Sequence, residues 1–263
     1  MKRNWTIILI VVCLGLLPLL SYAGCTQHVD LRTMNNLVKA QDAFDHAKSP
    51  DDFLKVASMY NAAQQHGVVS GAILYNEGNA LMRAGQRGRA IAAYRQAARY
   101  RPNDPYLEEN LKHALGAGGE LSPRRTIIGY LLFWQDWVSY PAKFYWAAIA
   151  AIITFVLGVI ALYWHRRLAT RLALLGLVVT GIFCFAAGYD WYRFDYQKHG
   201  VVVAPEVVAR MGNAASYQPK FTQPLTEGTE FKVLERRGDW LFIRLPGEGN
   251  RDGWIEDKAA VVY

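Results

Sequence analysis

Hydrophobic and polar positions along this 263-residue chain fall into blocks of different period. The most extreme block is a pair of apolar runs, 144–164 and 168–188, broken only at His165-Arg166-Arg167. Neither run contains Asp, Glu or Lys, and the one charge is Arg171, near the start of the second. At ~1.5 Å per residue each run is long enough to cross a hydrocarbon layer ~30 Å thick. The short break predicts an antiparallel transmembrane hairpin, so that everything before and after it lies on one side of the membrane. Residues 30–116 instead repeat their apolar positions at helical spacing. Residues 200–263 carry short alternating runs divided by Gly and Pro, the pattern of an all-β fold. Glu230-Phe231-Lys232-Val233-Leu234 and Trp240-Leu241-Phe242-Ile243-Arg244-Leu245 flank the turn Arg236-Arg237-Gly238-Asp239, and Gly253-Trp254-Ile255 comes after a Pro/Gly loop. Between helical block and hairpin, 122–143 opens polar, with Ser122-Pro123-Arg124-Arg125, and turns aromatic at Phe133, Trp134, Trp137 and Tyr140. Gln135, Asp136 and Pro141 interrupt it too often for a span, so it is expected to lie in the headgroup layer. Tyr189, Trp191, Tyr192, Phe194 and Tyr196 supply a matching aromatic belt.

The helical block repeats itself. Tyr60 and Tyr94 stand 34 residues apart, as do Ala63 and Ala97, which is the tetratricopeptide period. The better copy is 71–104, with Gly78, Ala90, Tyr94, Ala97 and Pro102 at the motif positions. A mid-helix Gly costs ~1 kcal/mol relative to Ala, so Gly78 needs a reason. The expected reason is close approach of the paired helix at Ala90, with Tyr94 and Ala97 as the next knob and hole. Ser49-Pro50-Asp51-Asp52 and Asp104-Pro105 read as helix starts, an N-cap followed by Pro in the first turn. The copy at 37–70 is degenerate, with Phe44 where a small residue is expected. The segment after Asp104 reads as a capping helix ending near Gly116-Ala117-Gly118-Gly119.

Tetratricopeptide units bind peptides on the concave face built by the first helix of each repeat. That face is expected to carry Tyr75, Asn79 and Met82, with Arg83 at its edge and Asn110 on the following helix. Asn79 and Asn110 stand where chaperone-binding members place asparagines that hold a peptide backbone, and a carboxamide both donates and accepts. Tyr75 replaces the Lys of those clamps, so capture of a terminal carboxylate is not expected. The competing reading has both asparagines capping turns or facing water.

Residues 1–23 read as an export signal: Lys2 and Arg3, the apolar stretch 7–20, and Ser21-Tyr22-Ala23 as cleavage site. Retention as an anchor, or lipidation at Cys25 through Ala23-Gly24-Cys25, are the other readings, and all three export the helical block. Arg166, Arg167 and Arg171 place the hairpin loop in the cytoplasm. Lys143, Arg193 and Lys198 flank the opposite ends, and the export signal decides between them. Arg171 can snorkel to the loop side. The expected location is a bacterial inner membrane, with both polar modules outside the cytoplasm.

Composition changes this picture little. The net charge of +7 is scattered, and no basic run interleaves with aromatics in a polar segment, which argues against nucleic-acid binding. A mean hydropathy of +0.02 averages polar ends with an apolar centre. Cys13, Cys25 and Cys184 form no metal-ligand spacing. No nucleophile–base pair, phosphate loop or cofactor motif stands out, so neither catalysis nor a cofactor is expected.

Leu225-x-Glu227-Gly228-Thr229, Gly238-Asp239-Trp240 and Gly253-Trp254-Ile255 resemble a bacterial SH3 (SH3b) domain. That resemblance implies a small barrel with Trp240 and Trp254 in its core and Gly253 at a tight approach. The chain as a whole then reads as a multi-domain membrane protein: tetratricopeptide unit, transmembrane hairpin, SH3-like barrel. This order resembles the aerotolerance-operon (Bat) family of tetratricopeptide proteins, BatE type. The resemblance rests on Tyr75-Asn76-Glu77-Gly78-Asn79-Ala80, Ala90-Ile91, Tyr94, Pro102, Asp104-Pro105, Asn110-Leu111 and Phe133-Trp134 ahead of Trp137. It implies a membrane adaptor working beside von Willebrand factor A-domain membrane proteins and a MoxR-type AAA+ ATPase. The alternative is an envelope sensor that binds peptidoglycan through the barrel.

Overall fold

The computed structural model describes residues 31–116, 133–164, 167–247 and 251–263. The export segment, Cys13, Cys25, Arg166, residues 117–119 and residues 122–132 of the interfacial stretch lie outside the described residues. Two compact units are present: Val138–Arg193, and the helical block together with the C-terminal strands.

The helical block consists of α1 (Leu31–His46), α2 (Pro50–Gln65), α3 (Gly71–Arg83), α4 (Arg87–Tyr100) and α5 (Pro105–Leu115). Local chemistry sets the starts. Ser49 and Asp52 form a reciprocal capping box before α2. The Ser70 hydroxyl accepts from the Ile73 N–H, and the Asp104 carboxylate accepts from the N–H groups of Tyr106 and Leu107. Tyr60, Leu74, Ala90, Ile91, Tyr94 and Ala97 are buried between the helices. The α5 helix differs from α3 as a cap should. Glu108 and Lys112 are exposed 34 residues after Leu74 and Gly78, which are buried. One expectation is corrected here. The neighbour that requires Gly78 is the Tyr94 ring, since a Cβ at residue 78 would lie 2.4 Å from Tyr94 Cε1. Phe44, the misfit of the degenerate copy, meets Phe53 edge-on at 5.5 Å.

The two apolar helices, α6 (Tyr140–Trp164) and α7 (Arg167–Trp191), are long and apolar enough to cross a membrane. At 25 residues each they run ~37 Å, longer than the expected spans. The stretch expected to lie flat shortens accordingly: Phe133–Trp137 is a 3-10 turn, and Lys143 belongs to α6. Likewise α7 continues past Gly188 through Asp190. Lys143 and Asp190 thus fall inside the helices, where their side chains, each 3% exposed, form an ion pair. Further along, the Thr154 and Thr180 hydroxyls meet at 3.1 Å between the helices. Large apolar side chains such as Ile153, Leu174 and Phe185 cover the outside.

The C-terminal strands are β1 (His199–Val202), β2 (Glu206–Val207), β3 (Leu225–Thr226), β4 (Glu230–Arg237), β5 (Trp240–Arg244), β6 (Asp252–Glu256) and β7 (Ala260–Val262). Five form an antiparallel sheet ordered β6-β5-β4-β1-β7, and β2 pairs with β3 as a separate ribbon. The described strands do not close into a ring, unlike the expected barrel. Its core is aliphatic, with Val202, Leu225, Phe231, Leu241, Ile243 and Ile255 packed together. The expected placement of the tryptophans needs correction. The β5–β6 register opposes Leu241 to Ile255 and Phe242 to Trp254. Period two therefore puts Trp240, Phe242 and Trp254 on the face opposite that core. Trp240 is only half-buried. Trp254 is 8% exposed because Phe242 stacks on it at 5.0 Å and the Arg237 guanidinium covers it at 5.4 Å. Gly253 lies opposite Ile243, where a Cβ would come within 3.3 Å of Ala209.

Helices and sheet share one body. Arg95 on α4 grips the Glu230 carboxylate with two 2.8 Å hydrogen bonds, and the Tyr263 hydroxyl donates to it as well. The Gly88 N–H donates to Glu227 at 2.8 Å, and a Cβ at residue 88 would lie 2.3 Å from the Val202 carbonyl.

Candidate functional site

With α4 turned toward the sheet, the first helices α1, α3 and α5 carry the candidate groove. Tyr75, Asn79 and Met82 on α3 and Asn110 on α5 are half-buried, and Arg83 is exposed. The structure brings three of these five together. The Asn110 amide donates to the Tyr75 hydroxyl and to Asn79 Oδ1, each at 2.9 Å. A fourth member was legible in the sequence only as a packing residue: the Tyr94 hydroxyl donates to the same Asn79 oxygen at 2.9 Å. Tyr94 is 1% exposed, and burial pushes its ionisation well above the ordinary range, so it remains a neutral donor. The two other expected groove residues stand apart. Met82 packs against the helical core, and the Arg83 guanidinium lies 5.8 Å over the Phe53 ring.

Hydrogen-bond accounting shows what this cluster leaves open. Asn79 Oδ1 is saturated by two donors, whereas its Nδ2 donates to no group among the described residues. Asn110 spends its Nδ2 and keeps its Oδ1. One amide donor on Asn79 and one amide acceptor on Asn110 thus remain, the two kinds of group a peptide unit pairs with. The Arg101 guanidinium sits 5.4 Å over the Tyr75 ring and is ion-paired with Asp104. On the α1 side, Gln41 Oε1 accepts from the Tyr60 hydroxyl at 3.2 Å and from Asn76 at 3.5 Å. Glu77, which accepts from Gln64 and Asn61, has its pKa raised, mainly by burial.

On the sheet, Arg210, Met211, Lys220, Phe242, Asp252 and Gly253 line a cleft of about 180 Å³. The Asp252 carboxylate is held below the usual range by two hydrogen bonds from Arg244. Arg167 and Arg171, the described members of the expected loop charge, are exposed at the start of α7. Among the described residues, no three His, Cys, Asp or Glu side chains converge on a metal position.

Residues 71–104, which cover α3, α4 and the turn into α5, match the family model of the tetratricopeptide repeat. The chain therefore contains a tetratricopeptide repeat, a module of protein–protein interaction. Neither curated proteins nor solved structures yield a match.

Proposed function

We propose that this chain is a non-enzymatic, membrane-anchored adaptor of the cell envelope that docks a partner protein in the groove of its repeats. The observation that carries this reading is the open donor–acceptor pair of Asn79 and Asn110 in and beside the matched repeat. Tyr75 lies beside it, and α6 and α7 supply an anchor of sufficient length. Resemblance to the aerotolerance-operon family points to von Willebrand factor A-domain membrane proteins and a MoxR-type ATPase as the partner system.

Asn79 also satisfies the buried Tyr94 hydroxyl, so truncating it would damage the fold. Asn110→Ala is the cleaner probe. Crosslinked complexes purified from membranes should lose the partner in this variant while its melting temperature stays within a few degrees of the parent. Undiminished recovery would place the docking surface elsewhere. For orientation, cysteines introduced at Lys112 and Lys258 should react with an impermeant maleimide from outside the cytoplasm, and one at Arg167 should not. Labelling confined to residue 167 would invert the topology.

The half-buried Trp240 and Phe242, next to the cleft at Arg210 and Lys220, favour a second reading. In it the sheet binds peptidoglycan, and the SH3b resemblance supports that choice. Sedimentation of the full chain with purified cell wall, lost in Phe242→Ala, would favour it over the groove.

A further inference from the structure

The 34-residue period gives each groove position a partner on the neighbouring units. Val38, Ala72 and Tyr106 are one such position, and all three are exposed, Val38 by 67% and Tyr106 by 75%. Asp42, Asn76 and Asn110 are a second, and Asp45, Asn79 and His113 a third. The face they share is continuous, since Asn76 reaches Gln41 on α1 while Asn79 meets Asn110 on α5. It carries an apolar row beside a polar one, and the polar row changes character along the groove. Amides occupy its middle, and carboxylates occupy its α1 end.

Among the described residues those carboxylates face no Lys or Arg. Asp45 accepts from the Gln41 amide, and Asp42 has only His46 within ion-pair distance. Glu109 on α5, equivalent to Gln41 and Tyr75, is exposed and has no ion pair among the described residues. Of the nearby cations, Arg101 is ion-paired with Asp104, and the Arg83 guanidinium is turned onto the Phe53 ring, where it keeps its charge. With α1, α3 and α5 side by side and each ~10–12 Å across with its side chains, the path from α1 to α5 is ~20–24 Å, which an extended chain covers in about six or seven residues.

We infer that the groove takes an extended basic segment, about six residues long, of a partner protein. Its backbone is held by Asn79 and Asn110, a Lys or Arg reaches Asp42 and Asp45, and an apolar side chain lies along Val38, Ala72 and Tyr106. This rests on the groove reading above and adds the sign of the partner's charge.

The test uses the full chain in a neutral detergent and three fluorescein-labelled hexapeptides: Lys-Lys-Ala-Leu-Ala-Phe and its Glu-Glu and Ala-Ala counterparts. The basic peptide should bind about tenfold or more tighter than the acidic one, with a gap that shrinks as salt is added. Asp42→Lys with Asp45→Lys, at two exposed positions, should reverse the order, and Tyr106→Ala should weaken the basic peptide. Equal binding of all three peptides, released by Asn110→Ala, would overturn the basic partner and leave groove docking intact. Binding indifferent to Asn110→Ala, or no binding at all, would overturn both. A preference for the basic peptide that survives the double charge reversal would also refute the assignment to Asp42 and Asp45.

Discussion

Gly78 and Tyr94 show what a single position decides here. The sequence marked both as motif residues, and helix propensity alone makes Gly78→Ala a gain of ~1 kcal/mol. Packing opposes that gain, because the added methyl would lie 2.4 Å from a ring that is 1% exposed and tied through its hydroxyl to Asn79. Overpacking of a well-filled core costs ~1–3 kcal/mol, so the net expectation is a loss of up to ~2 kcal/mol. Denaturant unfolding of the variant checks this, and a stability equal to or above the parent would mean that the ring can yield. The same hydroxyl explains why the candidate site was only partly legible. Tyr75, Asn79 and Asn110 could be named from the tetratricopeptide resemblance. The hydrogen bond between Tyr94 and Asn79 joins two helices 15 residues apart in sequence and depends on how α4 turns its face.

At the scale of elements, chain chemistry was a good guide to where helices begin and a poor guide to where the apolar ones end. Ser49 and Asp104 cap α2 and α5 through bonds made within three residues, so local sequence suffices. The ends of α6 and α7 escaped the hydropathy pattern because each charge there is compensated by the other helix. Lys143 read as a flanking charge and Asp190 lay beyond the expected span, yet paired their side chains are each 3% exposed. Removing one partner from a buried ion pair costs ~3–5 kcal/mol, while removing both together is close to neutral. Lys143→Leu and Asp190→Leu should therefore each lower the melting temperature in detergent, and the double variant should recover most of the loss. Additive losses would show that the two charges act independently.

For the molecule as a whole, the helical block and the C-terminal strands belong to one compact unit. They share one body through α4, β1 and β4, with Glu230 receiving both Arg95 and Tyr263. The Arg95 and Glu230 side chains are 18% and 23% exposed, between a surface pair and a buried one. Glu230→Ala is thus expected to cost ~2 kcal/mol, above the surface range of about 0–1 and below the buried range. Hydrogen exchange should then quicken in α4 and in β1 together. Acceleration confined to the strand would show that the two blocks unfold independently.

What the sequence determined by itself was the local and the periodic. The 34-residue repeat, the capped helix starts, the paired apolar runs and the alternating strands all rest on contacts between near neighbours, or on one face repeated at a fixed step. Only the tertiary structure decided the relations between distant segments. It set which face of the sheet holds Trp240 and Trp254, because alternation supplies two faces without saying which is covered. It set that Gly78 answers to Tyr94 and that Gly88 gives way to the Val202 carbonyl. It also set which amide atoms of Asn79 and Asn110 remain unspent, since that depends on where their neighbours' donors point.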